Sequence, residues 1–532
     1  MAEALSTGSI AAPGFSGLNT QDSSIQLDSG FALEANNCVI DRYGRIGARK
    51  GWTKVNTSAA STGSFRAIYE LIKDDGTVVI SAANNKIYTG TTTLTEAVVR
   101  NSTDTANLTY TITDNNWQIS GMPYDTGATP SGHGILVQEG HPTLIYHKLG
   151  ATAHAHTGSY GFQRLGDVAT NLPVGKTVTN FTPNCVMTAY GRVWVADMQD
   201  DRQTVYFSDL LNPAEWKVGT SGYLNISEVV PNNDPIVAIA DHNGFLIIFC
   251  TRHIVIYTNP VDPSQMTLQD VIVGVGCLAR DSVASIGTDL LFLSSTGVQS
   301  LQRVIQEKSL PFRDISKNVR DDLLSLVASE TAKNIKATYF PTDAFYLLSL
   351  PSSGFTYCFD TRGVLENGAA RTTVWKQINP TAFCLTQNRE LLIGQPGYIG
   401  KYNLYEDNGA KYRMTYFTNY FDFGSATTNK ILKRISVTAI GGSNQPIAIK
   451  WGYDYTRNYF SRGIVLQRVE VWEYGTAEYN IATYTNGIAL DIANIPASGS
   501  GTVLQLGFES DIDGTPLSIQ KIDFFLKQGK TL

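Results

Sequence analysis

Short apolar runs alternate with polar turns over most of this chain. The recurring unit is an apolar strand, a polar turn, a second and more apolar strand, another turn and a third strand. Apolar runs of this length, bounded by Gly, Asn and Asp, predict strands rather than helices. The unit recurs without strict identity, and its clear copies begin at Val186, Ile236, Ser282, Ala337 and Ala382.

These copies start about 45 to 55 residues apart, which is nearer the period of propeller blades than that of helical solenoids. Two earlier and less regular copies begin at Phe65 and His133. A sheet of this kind buries an apolar face against each neighbour, and closing the sheets into a ring removes long exposed edges. The pattern predicts an all-β fold, with a β-propeller of six or seven blades over residues 65–405 and an insertion at about residues 100–130.

Pairs of turn-forming residues between the apolar strands predict tight hairpins. A two-residue hairpin needs positive φ at its centre, which is cheap for Gly and tolerated by Asn or Asp. The pairs are Asp75–Gly76, Asn84–Asn85, Tyr190–Gly191 and Asn243–Gly244. Each blade is therefore expected to be a meander of antiparallel strands.

One segment departs from the β pattern and predicts a single amphipathic helix between blades. Its apolar residues at helical spacing are Val319, Leu323, Leu326 and Val327. Asp314 or Ser316 is the expected N-terminal cap. The helix is expected to pack on the flank of the propeller, and binding a partner is the alternative role.

The two ends of the chain predict further modules. Residues 406–532 lose the blade period but continue to alternate apolar and polar side chains, which indicates an additional β-sandwich-like platform module. Residues 1–64 are rich in Ser, Gly, Asn and Asp and cannot form a core alone. They are expected to be an N-terminal platform segment that docks against another module.

Charge and apolar content limit the classes of partner. The net charge is −6, whereas non-specific binding of nucleic acid relies on Lys and Arg. A neutral or acidic wall can still let phosphates pass without holding them. The longest purely apolar run, Phe245–Cys250, is too short to cross a membrane, and the N-terminus lacks the basic and apolar regions of a signal peptide. We expect synthesis in a cytoplasm and no membrane insertion.

The cysteines and histidines were considered as ligands for metals. The six cysteines are scattered, without a C-x-x-C pair, and predict buried, reduced thiols. Five of the seven histidines fall between His133 and His156, and His154 and His156 would share one face of a strand. Such a pair could chelate a metal, but no third ligand is defined. We expect no metal and no cofactor.

The acidic and nucleophilic residues do not form a recognisable catalytic motif. A glycosidase needs two carboxylates opposed across a sugar, whereas Asp197, Asp200 and Asp201 lie in one turn and are expected to point mostly to water. Residues 208–216 do not match the Ser-x-Asp-x-Gly-x-x-Trp box of propeller sialidases. The sequence has no phosphate-binding loop, H-E-x-x-H motif or G-x-S-x-G elbow. We expect no enzymatic activity and assign no catalytic residue.

Residues 14–52, "GFSGLNTQDSSIQLDSGFALEANNCVIDRYGRIGARKGW", contain a Gly-Leu-Asn element, an Asn pair and a Gly- and Arg-rich ending. This phrase resembles the opening of the tail nozzle, or tail tubular protein B, family of short-tailed bacteriophages (podoviruses), which is related to packaged-DNA-stabilisation tail proteins. Residues 190–216 and 274–298 are similar to recurrent phrases of the same family. The resemblance touches about the first three-fifths of the chain, and its phrases are structural.

The resemblance implies a structural protein of the virion tail, a homo-hexamer below the head–tail adaptor protein. Its propellers would surround a channel that retains the packaged genome and lets double-stranded DNA pass on ejection, without specific binding. Tail fibre or spike proteins would attach nearby. The channel wall is expected to carry little net positive charge, because cations would hold the phosphates.

Five residues at the end of the N-terminal phrase are candidates for contacts between modules or for assembly. They are Gly44, Arg45, Gly47, Arg49 and Gly51. The glycines would permit tight turns and close approach of the backbone. The arginines could pair with carboxylates of a neighbouring module. The alternative is that they are ordinary hairpin glycines and solvated arginines.

Two other classes of function are considered beside the conduit. One is a host-surface β-propeller that binds or cleaves glycans, and the other is a propeller scaffold for protein partners. A conduit should form a ring alone or with its adaptor, whereas a glycan enzyme should act on polysaccharide as a monomer or trimer. The scaffold is disfavoured by the N-terminal resemblance.

Overall fold

The fold is described from a computed structural model. The described residues are 6–24, 27–60, 62–124, 131–150, 158–231, 233–307, 314–441, 445–456, 458–466 and 490–531. Within these ranges, no helix combines the length and apolar character needed to cross a membrane.

The chain is an all-β protein built on a β-propeller, as the blade period predicts. Six blades have four or five strands each, and a three-stranded sheet packs between blades 4 and 5. Most blades are antiparallel meanders of consecutive strands. The strands are Ala67–Lys73, Gly76–Ala83, Lys86–Thr89 and Thr95–Glu96 in blade 1; Val99–Arg100, Gln118–Tyr124, Ser131–Gln138, His141–Lys148 and Tyr160–Arg164 in blade 2; Pro183–Ala189, Arg192–Met198, Asp201–Phe207 and Gly222–Asn225 in blade 3; Ile236–His242, Phe245–Cys250, His253–Thr258 and Thr267–Val273 in blade 4; Ala284–Ser285, Leu290–Ser294 and Gly297–Ser300 in the three-stranded sheet; Lys336–Phe340, Phe345–Leu350, Phe355–Val364 and Ala370–Trp375 in blade 5; and Phe383–Leu385, Leu391–Gln395, Tyr398–Asn403 and Gly51–Lys54 in blade 6.

Separate apolar cores fill the spaces between successive sheets of the ring. One core joins blades 3 and 4 through Trp194 and Leu246, and another joins blade 4 to the three-stranded sheet through Phe249 and Phe292. The rings of Phe249 and Phe292 lie 5.0 Å apart between centroids. Because both faces of most blades are covered, their middle strands are apolar on both faces, which explains the strongly apolar second strand of each unit.

An N-terminal strand closes the ring. Gly51–Lys54 forms the outer strand of blade 6, antiparallel to Tyr398–Asn403, with Trp52 opposite Tyr402. The chain then leads directly into the inner strand of blade 1. Blade 6 is therefore assembled from residues more than 300 positions apart in the sequence, and this closure ties the N-terminal segment to the end of the propeller.

The platform consists of two sheets outside the ring. Blade 5 continues into six further strands, which are Gly17–Leu18, Phe31–Asn36, Tyr412–Phe421, Leu504–Ile512, Pro446–Tyr453 and Phe460–Val465. The second sheet contains Ser6–Ala11, Cys38–Ile40, Ile46–Ala48, Thr428–Gly441, Leu490–Pro496, Ser500–Gly501 and Leu517–Thr531. Residues from both sheets share one large apolar core with the three-stranded sheet. The platform is thus sandwich-like, but it shares one sheet with blade 5.

Three of the four predicted hairpin turns have the required backbone. The fourth prediction is wrong, because Lys73 pairs with Gly76 and the two turn residues are therefore Asp74 and Asp75. Asn84 and Asn85 both have positive φ, 52° and 55°, and Tyr190–Gly191 and Asn243–Gly244 follow the same pattern. Within the predicted insertion, Gln118–Tyr124 forms the innermost strand of blade 2. Residues 101–117, which precede this strand, form no long strand. Residues 125–130 lie outside the described part of the chain.

The predicted amphipathic helix is present at Arg320–Ser329, with Leu323 and Val327 buried against the large core. The capping prediction is wrong, because neither Asp314 nor Ser316 caps it. Val319 occupies the cap position without a side-chain hydrogen bond. Asp314 instead forms an ion pair with Arg320. Two shorter helices that the sequence pattern did not predict also occur among the described residues, at Leu165–Val168 and Leu301–Glu307.

All six cysteines are buried and unpaired, as expected from their apolar surroundings. Burial raises the pKa of their thiols because it disfavours the charged thiolate, for example to about 12 at Cys384 and to about 11 at Cys277. These groups are therefore core residues with little thiolate at neutral pH.

Candidate functional site

The N-terminal phrase ends at a buried junction between the propeller and the platform, centred on Arg49. The Arg49 side chain is fully buried and binds Asp407 in a bidentate ion pair, with N–O distances of 2.8 and 2.7 Å. Its Nε donates to Asn37 Oδ1 at 3.0 Å, and its guanidinium lies 3.9 Å from the ring centroid of Tyr412. Arg49 therefore joins the N-terminal segment around Asn37 to residues 407–412, more than 350 positions later in the chain.

Three other candidate residues lie in the hairpin of strands Cys38–Ile40 and Ile46–Ala48, which precedes Arg49. Arg45 is buried and pairs with Asp41 of its own hairpin at 2.6 Å, and it covers the ring of Tyr43. Gly44 has φ +73°, which completes the turn after Asp41. Gly47 lies opposite Ser518 in the seven-stranded sheet. All of these contacts lie within one copy of the chain.

Gly51 lies so close to the chain around Glu406 that a side chain would not fit. A Cβ atom at Gly51 would lie 1.9 Å from the carbonyl oxygen of Glu406. Gly51→Ala is expected to lower the free energy of unfolding by about 1–3 kcal/mol, because backbone must move to admit the methyl group. Chemical denaturation measures this loss. Gly363→Ala is the matched control, since a Cβ there meets nothing within 4 Å. Equal stability of the two variants would contradict the close approach.

The second candidate site is a buried polar cluster on the propeller axis, which we call the axial cluster. It consists of Asn116, Asn184, Arg280, Asp281 and Lys336. Arg280 Nη1 donates to the carbonyl and side-chain oxygens of Asn184 at 2.7 and 2.8 Å, and Nη2 donates to the carbonyl of Asn116 at 3.0 Å. Arg280 and Lys336 both bind Asp281, at 2.8 and 2.5 Å.

These contacts link four parts of the ring across its axis. Asn116 precedes the inner strand of blade 2, Asn184 lies in blade 3, and Lys336 begins blade 5. Arg280 and Asp281 lie in the segment before the three-stranded sheet. The cluster therefore fills the middle of the propeller and joins sheets that do not neighbour one another.

The charges of the axial cluster stabilise one another. Burial alone would raise the pKa of Asp281, but the adjacent Arg280 and Lys336 outweigh it and hold this pKa well below its usual range. Burial lowers the pKa of Lys336, and Asp281 opposes this shift. The carboxylate is therefore ionised at neutral pH and compensates two buried cations.

Two cavities lie on either side of the axial cluster and share Arg280 in their walls. The larger has a volume of about 520 Å³ and is lined by polar residues that include Asp114, Glu139, Asp197 and Arg202. Arg202 binds both Asp197, at 2.6 Å, and Glu139. The smaller, of about 210 Å³, lies towards Tyr69 and Phe383.

The sequence interpretation missed the axial cluster because its members are spread from position 116 to position 336. One signal was present. Arg280 and Asp281 form a charged pair inside the phrase "CLARDSVAS", whose neighbours are small or apolar. Charges in such a run are costly to bury unless they are paired, so the phrase indicates a buried ionic contact.

The structure places Asp197 and two of the candidate histidines in buried positions. Asp197 is buried and accepts from Asn184 at 2.8 Å, so the expectation that it points to water is wrong. His133 and His147 are buried in blade 2, with ring centroids 5.7 Å apart. His154 and His156 lie outside the described residues. Within the described ranges, no group of three or more His, Cys, Asp or Glu side chains has a geometry suited to a metal ion.

Comparison with known proteins gives no family. No family model and no curated protein matches this chain. Among solved structures it is similar to PorZ, an essential bacterial surface component of the type-IX secretion system of Porphyromonas gingivalis, with 12% identity, a TM-score of 0.32, and coverage of 64% of this chain and 36% of that chain. It is also similar to the Pan2 WD40 domain of Neurospora crassa, with 10% identity, a TM-score of 0.35, and coverage of 66% and 96%. This chain thus matches about a third of the length of PorZ.

Proposed function

We propose that this chain is a structural protein of the tail of a short-tailed bacteriophage, the nozzle, and not an enzyme. Six copies would form a ring below the head–tail adaptor, retain the packaged genome and let DNA pass on ejection. Tail fibres or spikes would attach nearby. The proposal rests on the resemblance of residues 14–52 to that family.

The structural role of that phrase carries the proposal. Gly17 pairs with Thr372 of blade 5, Phe31–Asn36 pairs with Tyr412–Phe421 of the platform, and Gly51–Lys54 closes blade 6. The phrase therefore joins the propeller and the platform into one body, and Arg49 fixes this junction from a fully buried position. A phrase whose residues join modules rather than form a reactive site is consistent with a structural protein.

The axial cluster limits where DNA could pass. The axis of a single propeller is filled by paired, buried side chains, and the cavities beside them are far too small for a duplex. In the proposed ring, DNA therefore passes between the six copies and not through any one propeller. Any gate would be made by loops that meet at the axis of the ring.

The test is electron microscopy of the purified chain mixed with its head–tail adaptor. Class averages are expected to show a six-fold ring with a central opening, and light scattering should give the mass of six copies of the chain in addition to that of the adaptor. The adaptor alone and the chain alone are the controls. A chain that stays monomeric with the adaptor, and that binds or cleaves bacterial polysaccharide, would contradict the proposal.

The alternative is a host-surface β-propeller that binds glycans. The larger axial cavity favours it, because a volume of about 520 Å³ lined by carboxylates, two arginines and a lysine suits a small polar ligand. Glycan cleavage is less well supported, since Arg202 binds both Glu139 and Asp197 and so engages two of the carboxylates that a glycosidase would need to use on the sugar. Binding of bacterial polysaccharide by the purified chain, measured beside its assembly with the adaptor, distinguishes this function from the conduit.

A further inference from the structure

The smaller axial cavity adjoins another cavity, and together they form what we call the cationic pocket. The first cavity, of about 210 Å³, is lined by Arg66, Arg280, Asp281 and Lys336 among others. The second, of about 200 Å³, shares Arg66 and Lys336 and adds Ser64, Asn334 and Thr381. The walls come from blades 1, 2, 5 and 6 and from the segment before the three-stranded sheet. The pocket is thus built by the closed ring and does not exist in any single blade.

The cationic pocket has an excess of positive charge. The first cavity is lined by three cations, Arg66, Arg280 and Lys336, and by the single carboxylate of Asp281. Arg66 and Lys336 are the only charged residues that line the second cavity among those described. The nearby Glu330 accepts hydrogen bonds from Ser352 and Ser353. The larger axial cavity, on the other side of the axial cluster, is lined by three carboxylates and three cations. The excess of positive charge is therefore confined to the cationic pocket.

The excess of positive charge destabilises the fold, because two of the cations are buried. Lys336 is 6% exposed and Arg280 is 7% exposed. Burial lowers the pKa of Lys336, and Arg280 and Arg66 lower it further, while Asp281 acts in the opposite direction. A second anion beside Lys336 and Arg66 would offset this repulsion.

We propose that the cationic pocket is a binding site for a small multivalent oxyanion of the phosphate class, held between Arg66 and Lys336. The planar guanidinium of Arg66 suits a tetrahedral oxyanion, and Lys336 supplies a point charge. Ser64 and Asn334 add neutral polar groups to the same wall. Each cavity has room for roughly seven water molecules, which accommodates one such ion but not a nucleic-acid strand. This inference does not rest on the proposed function.

The test is calorimetric titration of the full-length chain with inorganic phosphate at constant ionic strength. One saturable site per chain is expected, and Arg66→Gln should weaken binding at least ten-fold. Arg66 is chosen because it donates to Asn334 and lies outside the axial cluster, so its removal should spare the fold. Arg100→Gln is the matched control, since Arg100 does not line the pocket and 40% of its side chain is exposed, and phosphate binding by this variant should equal that of the wild type.

A thermal melt gives a second measurement that holds even if Arg66→Gln does not fold. Binding at one site raises Tm in proportion to ln(1 + [phosphate]/Kd), a curve that flattens above Kd, whereas a salt excluded from the surface raises Tm roughly linearly with its concentration. Sulfate should compete with phosphate, and chloride should not. Two results would overturn the proposal. One is a heat of phosphate addition to the wild type that does not saturate, and the other is an unchanged phosphate affinity in folded Arg66→Gln.

Discussion

Arg49→Met is expected to lower the free energy of unfolding by about 3–5 kcal/mol, because it leaves the carboxylate of Asp407 without its partner in a mostly buried position. The same change removes the hydrogen bond to Asn37 and the stacking on Tyr412. Arg49→Lys should retain only part of the stability, since an ammonium cannot make the bidentate pair. Chemical denaturation with far-UV circular dichroism measures both losses.

Arg413→Met is the matched control for Arg49→Met. Arg413 also pairs with carboxylates, Glu509 and Asp511, but half of its side chain is exposed, so the cost should stay at or below about 1 kcal/mol. In the double variant Arg49→Met/Asp407→Asn, part of the lost stability should return, because the unpaired charge is gone. Equal losses for Arg49→Met and Arg413→Met would show that the junction is not a main determinant of stability.

Asp281→Asn is the second change with a large expected effect, again about 3–5 kcal/mol of unfolding free energy, because it leaves two buried cations without a carboxylate. The pKa of Asp281 is lowered in the folded state, so its ionised form stabilises the fold above the ordinary carboxyl pKa of about 4. The difference between wild type and variant should be constant from about pH 5 to 8 and should narrow as the pH falls below about 4.

Asp75→Asn is the control for Asp281→Asn. Asp75 pairs with Lys73 at 2.6 Å, but 60% of its side chain is exposed, so the variant should lose little stability at any pH. Adding Lys336→Met to Asp281→Asn should recover part of the loss, because one of the two uncompensated cations is removed. The measurement is chemical denaturation of the wild type and these three variants across the pH range. If the difference in unfolding free energy between the wild type and Asp281→Asn does not change with pH, the role given to the carboxylate is contradicted.

Local patterns in the sequence determined the repeating part of this fold. The strands of each blade follow from apolar runs, and the hairpins follow from residue pairs such as Asn84–Asn85 that tolerate positive φ. The helix at Arg320–Ser329 follows from its 3.6-residue spacing of apolar side chains. These features are predictable because each depends on interactions between residues that are near in the chain.

The capping of that helix and the fate of Asp197 were decided by tertiary contacts. The local sequence allows Asp314 to cap the helix, but in the fold its carboxylate binds Arg320 instead. Asp197 lies beside a polar turn, yet Asn184 and Arg202 hold it in a buried position. In each case a partner supplied by the fold outweighed the local preference.

The sequence alone determined the propeller, its approximate blade number, the extra β-rich module and the burial of the cysteines, because hydrophobic periodicity and turn chemistry are written locally. Only the tertiary structure decided that the platform shares a sheet with blade 5, that Arg49 meets Asp407, and that Arg280 and Lys336 meet on the propeller axis. These contacts join residues 56 to 358 positions apart. Neither strand pairing nor ion pairing at such separations leaves a period in the sequence, since the ring must close before the partners come together.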